Sequence, residues 1–507
     1  MTAAGDATGT AAIGRRGTGS VKSAALWAAS SQYSLFALQF VTSVIISRFF
    51  LRPDEIGLFS VALAAAMVLS IIQDFGLHRY IGRHPTADRT VVRSCTAVAL
   101  VLAAVLAATV FALARPLAWA YDEPRIEPIL HLLAVSYCFV PWSVVPIALL
   151  ARRLDFRRTF AVNFSGAVAN SGVALTLSWL GYSSFALAWG TVAQAVVRAL
   201  VAQIAQPTPP GRGIDRAEVR AILRFSAAAT PIYLSGGIGV RTPDMVVGGL
   251  QGMTAAGLFS RGAALAAQLH TLVVGAVSAI YFPAFARLRD QCEPLGPSYE
   301  RVLAAHGAIV WPAMALLAVL SQPVILLLYG PLWVDAAPLL AFVALAECCF
   351  VALPLHMDLP ILLGRMRRLF WFNIVDTAIS VATLAAGAAI GLEAAAGSRI
   401  VYGLCWFGLY AAWLQRLIGF SWRAALRIYA RSGLLAFATA APALLAVTHW
   451  RTPGTLGLAE LAATGAACAL AWVGGLFLLH HPARADIADM AAHVAGALPT
   501  RNTGGEP

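Results

Sequence analysis

Fourteen apolar stretches of about 20 residues or more follow one another along the chain, separated by short polar gaps. They lie at 24–50, 57–82, 92–114, 129–151, 160–180, 184–206, 222–250, 254–283, 302–320, 336–363, 369–392, 398–415, 430–448 and 456–479. Each is long enough to cross the hydrocarbon core of a bilayer as a helix. The apolar runs are continuous rather than alternating, which predicts helices and not barrel strands. The expected fold class is an all-α polytopic membrane protein of about 14 transmembrane helices.

The gaps carry a second pattern. With residues at the span edges counted in the adjoining gap, 26 of the 36 Lys and Arg fall in the two tails and the even-numbered gaps, and six in the odd-numbered gaps. Basic residues are retained on the cytoplasmic side, so the even gaps and both termini are expected there. The strongest cases are Arg152, Arg153, Arg157 and Arg158; Arg212, Arg216, Arg220 and Arg224; Arg365, Arg367 and Arg368; and Arg416, Arg423, Arg427 and Arg431. The outer gaps are all short and leave no room for a folded external domain, which argues against a polysaccharide polymerase or ligase built around a large loop.

An internal repeat sets the domain plan. Gly57, Leu58, Phe59 and Ser60 open the second span, and Gly257, Leu258, Phe259 and Ser260 open the eighth. Six spans separate the copies, so they share one orientation, and a parallel repeat predicts two lobes related by an axis along the membrane normal. The expected organisation is a disordered cytoplasmic tail over 1–23, an N-lobe of six spans over 24–206, a cytoplasmic linker over 207–221, a C-lobe of six spans over 222–415, two further spans over 416–480, and a cytoplasmic tail over 481–507.

Composition agrees with a membrane protein: 59% of the 507 residues are hydrophobic and 12% are charged. The net charge of +12 would suggest nucleic acid in a soluble domain, but here the arginines flank apolar spans, and topology accounts for them. The first apolar run is too long for a signal-peptide core. The seven cysteines form no C-x-x-C and have no histidine at metal-ligand spacing, so they are read as packing residues. The segment from Gly17 to Ser23 resembles a phosphate loop but lacks the glycine before its lysine, which excludes ATP hydrolysis through it.

The remaining candidates are charges within or at the edges of spans. A charge at a helix centre costs about 2.5–3.5 kcal/mol on insertion scales, so each should face a cavity, a partner or the interface. Arg241 and Asp244 lie three residues apart on one face of the seventh span. Either they neutralise one another, or they line a polar lumen where Arg241 meets an anionic substrate. Arg261 has no acidic neighbour in its own span, which favours a cavity. Asp74 and Arg79 read as a salt bridge, a gate or substrate contacts. Asp358 and Asp376 read as partners of Arg365, Arg367 and Arg368, or as proton or sodium coupling sites; Glu347 is a weaker coupling candidate. Arg198 reads as a snorkelling residue, and His131 and His270 as packing residues. Gln32, Tyr33 and Gln39 in the first span suit sugar hydroxyls or interhelical bonds equally.

These motifs resemble a known family. ISRFFLRPDEIGLFSVAL and QDFGLHRYI, then RTPDMVVGGLQGMTAAGLFSRGAAL through YFPAFARLRDQ, then LYGPLWVDAAPLL, together with the basic LARRLDFRRTF, are similar in order and spacing to Wzx-type polysaccharide flippases. These belong to the multidrug/oligosaccharidyl-lipid/polysaccharide (MOP) exporter superfamily, and the closest likeness is to its colanic- and teichuronic-acid-type exporters. The resemblance covers most of residues 24–480, with a Gly-rich LSGGIGVRTPD where that family carries a polar, Asn-rich seventh span.

The resemblance implies two pseudo-symmetric six-helix lobes plus two C-terminal helices. It implies alternating access that moves an undecaprenyl-diphosphate-linked oligosaccharide to the outer leaflet of the bacterial plasma membrane, without enzymatic turnover or a cofactor and with H+ or Na+ as coupling ion. The central-cavity positions would be Arg48, Arg241 and Arg261; the residues themselves add Asp244, Gln32 and Gln39 as candidates beside them, and Asp74, Arg79, Asp358 and Asp376 as gating or ion-coupling candidates. Implied partners are the lipid-linked substrate, the membrane, and a polymerase with its export machinery; the chain would be a monomer and bind no nucleic acid. Two competing functions are a drug/cation antiporter of the same superfamily, which should have an acidic lumen, and a membrane-embedded glycan-processing enzyme, for which only Asp358 and Asp376 could serve as acids.

Overall fold

The structure is a computed structural model and describes residues 17–74, 77–83, 88–153, 155–208, 215–449 and 457–484. Those residues form 18 α-helices and one short 3-10 turn, with no strand among them. Among the described residues, every one of the fourteen apolar runs falls on a helix or on a pair of helices, as expected of an all-α membrane protein. By length and hydropathy, eight helices among the described residues are long and apolar enough to cross a bilayer, or nine with one bent pair taken as a span.

Two compact units divide the chain at Gly257 and Leu258. The first holds α1 (Gly17–Phe49), α2 (Pro53–Asp74), α3 (Leu77–Arg83), α4 (Arg89–Ala120), α5 (Ile126–Phe139), α6 (Pro141–Arg152), α7 (Phe156–Trp179), α8 (Phe185–Ala205) and α9 (Arg216–Gln251). Here α7 packs along α8 and α1, α4 along α5, and α2 along α9. Its core joins Leu58, Val61, Leu106, Val110, Ile129 and Leu133.

α10 (Met253–Asp290) runs on into the second unit, followed by α11 (Leu295–Val319), α12 (Ser321–Leu328), α13 (Ala336–Val351), α14 (Asp358–Leu362), α15 (Met366–Ile390), α16 (Leu392–Ile418), α17 (Trp422–His449) and α18 (Leu458–Leu478). In this unit α11 packs on α17 and α13, α15 on α16, and α17 on α18. Its core is aromatic, built around Tyr299, Trp406, Tyr410, Trp413 and Phe420. Trp119, Ile390, Leu470 and Leu478 are each at least 74% exposed, an apolar exterior that suits lipid and not water.

Local chemistry explains the helix ends. Pro53 opens α2 at a position where a missing N–H costs nothing, and the Glu55 carboxylate accepts the Arg52 N–H at 2.8 Å. Asp215 caps α9 by accepting the Ala217 N–H at 2.8 Å. Gly252, at φ 85°, turns the chain from α9 into α10 in one residue, a conformation costly with a side chain. The runs 129–151 and 336–363, each expected as one continuous span, are broken. Pro141 splits the first into α5 and α6, bent by 45°. In the second, the chain unwinds between α13 and α14 around Pro354, whose ring disfavours helix in the residue before it. The Ala352 carbonyl exposed there accepts the Tyr429 hydroxyl at 2.7 Å.

Many arginines of the even gaps have a structural task as well. Arg152 donates to the Ile81 carbonyl at 3.1 Å, Arg158 to Ala205 at 3.3 Å, Arg289 to Leu362 at 3.0 Å and Arg431 to His480 at 3.0 Å. Each acceptor lies in or just past the last turn of a neighbouring helix, where carbonyls have no intrahelical partner and the dipole favours a cation.

Candidate functional site

In the first unit Arg241 and Asp244 sit half-buried on α9, one turn apart. The Arg241 guanidinium acts electrostatically on the phenol of Tyr137, which α5 brings forward and Ser70 of α2 hydrogen-bonds. Tyr121, at the end of α4, donates to the Met245 carbonyl at 3.1 Å and fixes this stretch of α9. Gly248 and Gly249 let it approach: a Cβ on either would stand within 3.7 Å of the Tyr121 ring. Arg241 is thus a cation held between packed helices, with the Asp244 carboxylate one turn away on the same helix.

A second polar stripe in this unit joins α1, α7 and α8. Thr42 donates to Ser171 at 2.9 Å, and Asn170 to Gln194 at 3.2 Å. Arg198, one turn beyond Gln194, packs its Cβ against Gly166, and its buried Nε has no hydrogen-bond partner among the described residues. Among the α1 candidates, Gln32 and Gln39 are exposed, and Arg48 is exposed in the last turn, its guanidinium 5.8 Å from the Phe49 ring centre. The side chains of Asp74 and Arg79 lie outside the described residues. Arg261 is half-buried on α10 in the second unit, beside Gly262, where α10 approaches Leu340 of α13.

The densest polar cluster belongs to the second unit. Nδ1 of His270 on α10 stands 2.6 Å from Oε2 of Glu347 on α13. Tyr402 of α16 donates to Asp376 of α15 at 2.9 Å, and Arg399 donates to Ser380 at 3.3 Å while lying 4.8 Å from the Tyr402 ring centre. Arg399 also feels both Glu347 and Asp376 electrostatically. Two carboxylates, one guanidinium and one imidazole are therefore linked through Arg399 and the contact of His270 with Glu347.

The cluster unites three candidates weighed separately in the sequence, Asp376, Glu347 and His270, and adds Arg399 and Tyr402, which sequence reasoning passed over. Arg399 looks like a rim residue if its span begins at 398. α16 in fact begins at Leu392, with Glu393 in its first turn, which places Arg399 two turns inside. That acidic first turn after Gly391 was the available signal. Asp376 is bonded to Tyr402, while Asp358 stands half-buried in the first turn of α14, just after the unwound segment. No group of three metal-ligating side chains occurs among the described residues.

Comparison with known proteins places the chain. Residues 45–338 match the family model described as polysaccharide biosynthesis protein. The succinoglycan biosynthesis transport protein ExoT of Rhizobium meliloti (strain 1021) is 25% identical over 398 residues, 78% of each chain. The lipopolysaccharide biosynthesis protein WzxC of Escherichia coli (strain K12) is 23% identical over 372 residues, 72% of this chain and 74% of that one. Among solved structures, the lipid II flippase MurJ in an inward closed conformation superposes with a TM-score of 0.69 at 10% identity, covering 90% of this chain and 99% of that one, a likeness of fold. The resemblance to Wzx-type flippases read from the motifs therefore holds, and the chain belongs to the polysaccharide biosynthesis protein family.

Proposed function

We propose that the protein is a flippase that carries undecaprenyl-diphosphate-linked oligosaccharide units from the inner to the outer leaflet of the bacterial plasma membrane, as a transporter without catalysis. The observation that carries this reading is Arg241, a guanidinium kept half-buried within α9 beside the Tyr137 phenol, in a chain similar to a succinoglycan biosynthesis transport protein. Guanidinium pairs with phosphate oxygens in a bidentate fork, so a diphosphate is the natural counter-charge for such a site. In the first unit Arg48 is a further candidate for the diphosphate or anionic sugars, with Asp244, Gln32 and Gln39 as polar candidates; in the second unit Arg261 is another. The basic character of these three candidates also separates this reading from a drug/cation antiporter, which needs carboxylates to receive its substrate.

The His270, Glu347, Asp376 and Arg399 cluster is proposed as the coupling element. Taking up a proton would change its charge by one. The test uses cells in which this chain is the sole flippase for a surface polysaccharide. Arg241→Ala and Arg261→Ala are expected to abolish surface polysaccharide at normal protein levels and to leave lipid-linked units accumulated on the inner leaflet. Glu347→Gln should slow export and remove its dependence on the proton gradient. Normal polysaccharide in both arginine variants would overturn the substrate assignment, and an unaltered gradient dependence in Glu347→Gln would overturn the coupling assignment.

A further inference from the structure

The second unit contains a basic cavity that the transport reading does not use. It measures about 650 Å³ and is lined by Gly364, Arg365, Arg367, Arg368, Trp371, Trp413, Arg416 and Leu417. Four guanidinium groups line it and no acidic side chain does. Three of them come from the start of α15 and the fourth from the end of α16, so the cavity opens where those two helix ends meet.

The arginines here behave differently from those that cap helix ends. Among the described residues, the guanidiniums of Arg365, Arg367 and Arg416 make no hydrogen bond or ion pair with the protein, and all three are exposed. Arg368 is held in place instead, 5.7 Å from the ring centres of both Phe372 and Trp413. The first turn of α15 has no acidic residue and no side-chain cap, so its N–H groups add positive potential at the same place. Four like charges around one cavity repel each other unless an anion occupies it.

The aromatic wall identifies where that anion comes from. Trp413 is buried in the cavity wall, whereas Trp371 is 58% exposed, as an indole ring at the level of lipid headgroups would be. Basic pockets between helices at that level take lipid phosphates. We propose that this cavity binds the headgroup of a membrane lipid carrying two phosphate groups, each phosphate facing a pair of arginines. The chemistry is common to a diphosphate-linked polyprenyl carrier and to a bis-phosphate phospholipid of the cardiolipin type. The site is distinct from the intramembrane cluster: Arg368 and Asp376 are eight positions apart on α15, about 12 Å along the helix. Between the two, α15 and α16 share a polar seam in which Tyr410 donates to Asn373 at 2.7 Å.

The experiment uses the full-length protein in nanodiscs and measures bound lipid by native mass spectrometry. The probes are cardiolipin, undecaprenyl diphosphate, neutral phosphatidylcholine and inorganic pyrophosphate. The variant is Arg367→Gln/Arg416→Gln, which spares the Arg368 stack; Arg367→Lys/Arg416→Lys keeps the charge without the fork. Wild-type protein should retain a two-phosphate lipid over phosphatidylcholine, and the glutamine pair should lower that retention roughly 30-fold at unchanged melting temperature. The lysine pair should recover part of the loss. Retention of cardiolipin together with the carrier assigns a general two-phosphate lipid site, and retention of the carrier alone assigns a substrate site; that second arm rests on the transport reading, whereas the first survives its failure. Equal retention of phosphatidylcholine, no loss in the glutamine pair, or binding of pyrophosphate without either lipid would overturn the proposal.

Discussion

His481, just beyond α18, is fully buried with both ring nitrogens engaged: Nδ1 accepts the Ala483 N–H at 3.2 Å, and Nε2 lies 3.0 Å from the Ser432 hydroxyl. An Nδ1 that accepts must carry no proton, so Nε2 holds the hydrogen and donates it to Ser432. Burial first, and then the neighbouring Arg431 charge, push the imidazole down to about 4. The sign follows from linkage: the released segment takes up a proton near pH 6.5 while the docked one does not, so docking is fully stable above about pH 6.5 and weakens as pH falls toward about 4. Protease cleavage after α18 in purified protein should therefore rise through that window, and His481→Asn, which cannot titrate, should flatten the response. A pH-independent cleavage rate in the wild type would refute the assignment. Such residues are poorly legible in a sequence: a lone histidine past a span carries no local sign of its partner, and Ser432 is 49 positions away. The same limit hid the pairing of His270 with Glu347, 77 positions apart, whereas Arg241 and Asp244 are readable because helical spacing alone sets them on one face.

At the scale of elements, apolar run length locates the helices well, because lipid demands about 20 apolar residues per crossing whatever the tertiary contacts. It does not locate the breaks at Pro141 and Pro354, since hydropathy continues unbroken across them. The repeated Gly-Leu-Phe-Ser has a meaning that the repeat alone does not state. A Cβ on Gly57 would land on the Met253 carbonyl oxygen, and one on Gly257 on the Pro53 carbonyl oxygen. Pro53 with Gly57 and Met253 with Gly257 are equivalent pairs, so the two copies meet residue for residue, and each glycine makes room for the other's helix start. The repeated glycine is therefore a packing requirement as well as a mark of duplication. Gly57→Ala and Gly257→Ala should each destabilise by about 1–3 kcal/mol, because the obstacle is backbone and cannot rotate away. Gly172→Ala on α7, where a Cβ meets nothing within 4 Å, should be neutral or stabilising. Melting of the three purified variants checks this; equal behaviour of all three would remove the close approach.

For the whole molecule, the arginine alternation makes a claim about sidedness that the capping role of individual arginines does not replace. Capping requires an arginine near some helix end, but nothing in it requires those helix ends to lie on one side of the membrane; retention of basic loops in the cytoplasm does. Positions 157 and 331 are both exposed and lie in gaps of opposite parity, one arginine-rich and one bare of basic residues. In a background freed of the seven native cysteines, Arg157→Cys should react with a membrane-impermeant maleimide only after the cells are opened, and Pro331→Cys in intact cells. A third site tests the number of crossings, since among the described residues eight helices, or nine with the bent pair, are long and apolar enough to cross where fourteen runs are read from the sequence. Arg157 precedes the fifth run and Arg484 follows the fourteenth, so ten crossings separate them and Arg484→Cys should label with Arg157→Cys. Reaction of Arg484→Cys on the opposite side would mean an odd number of crossings between them. One of the runs would then lie along the membrane or re-enter it instead of spanning, and the broken helices α13 and α14, flanking the Glu347 and Asp358 carboxylates, would be the first place to look.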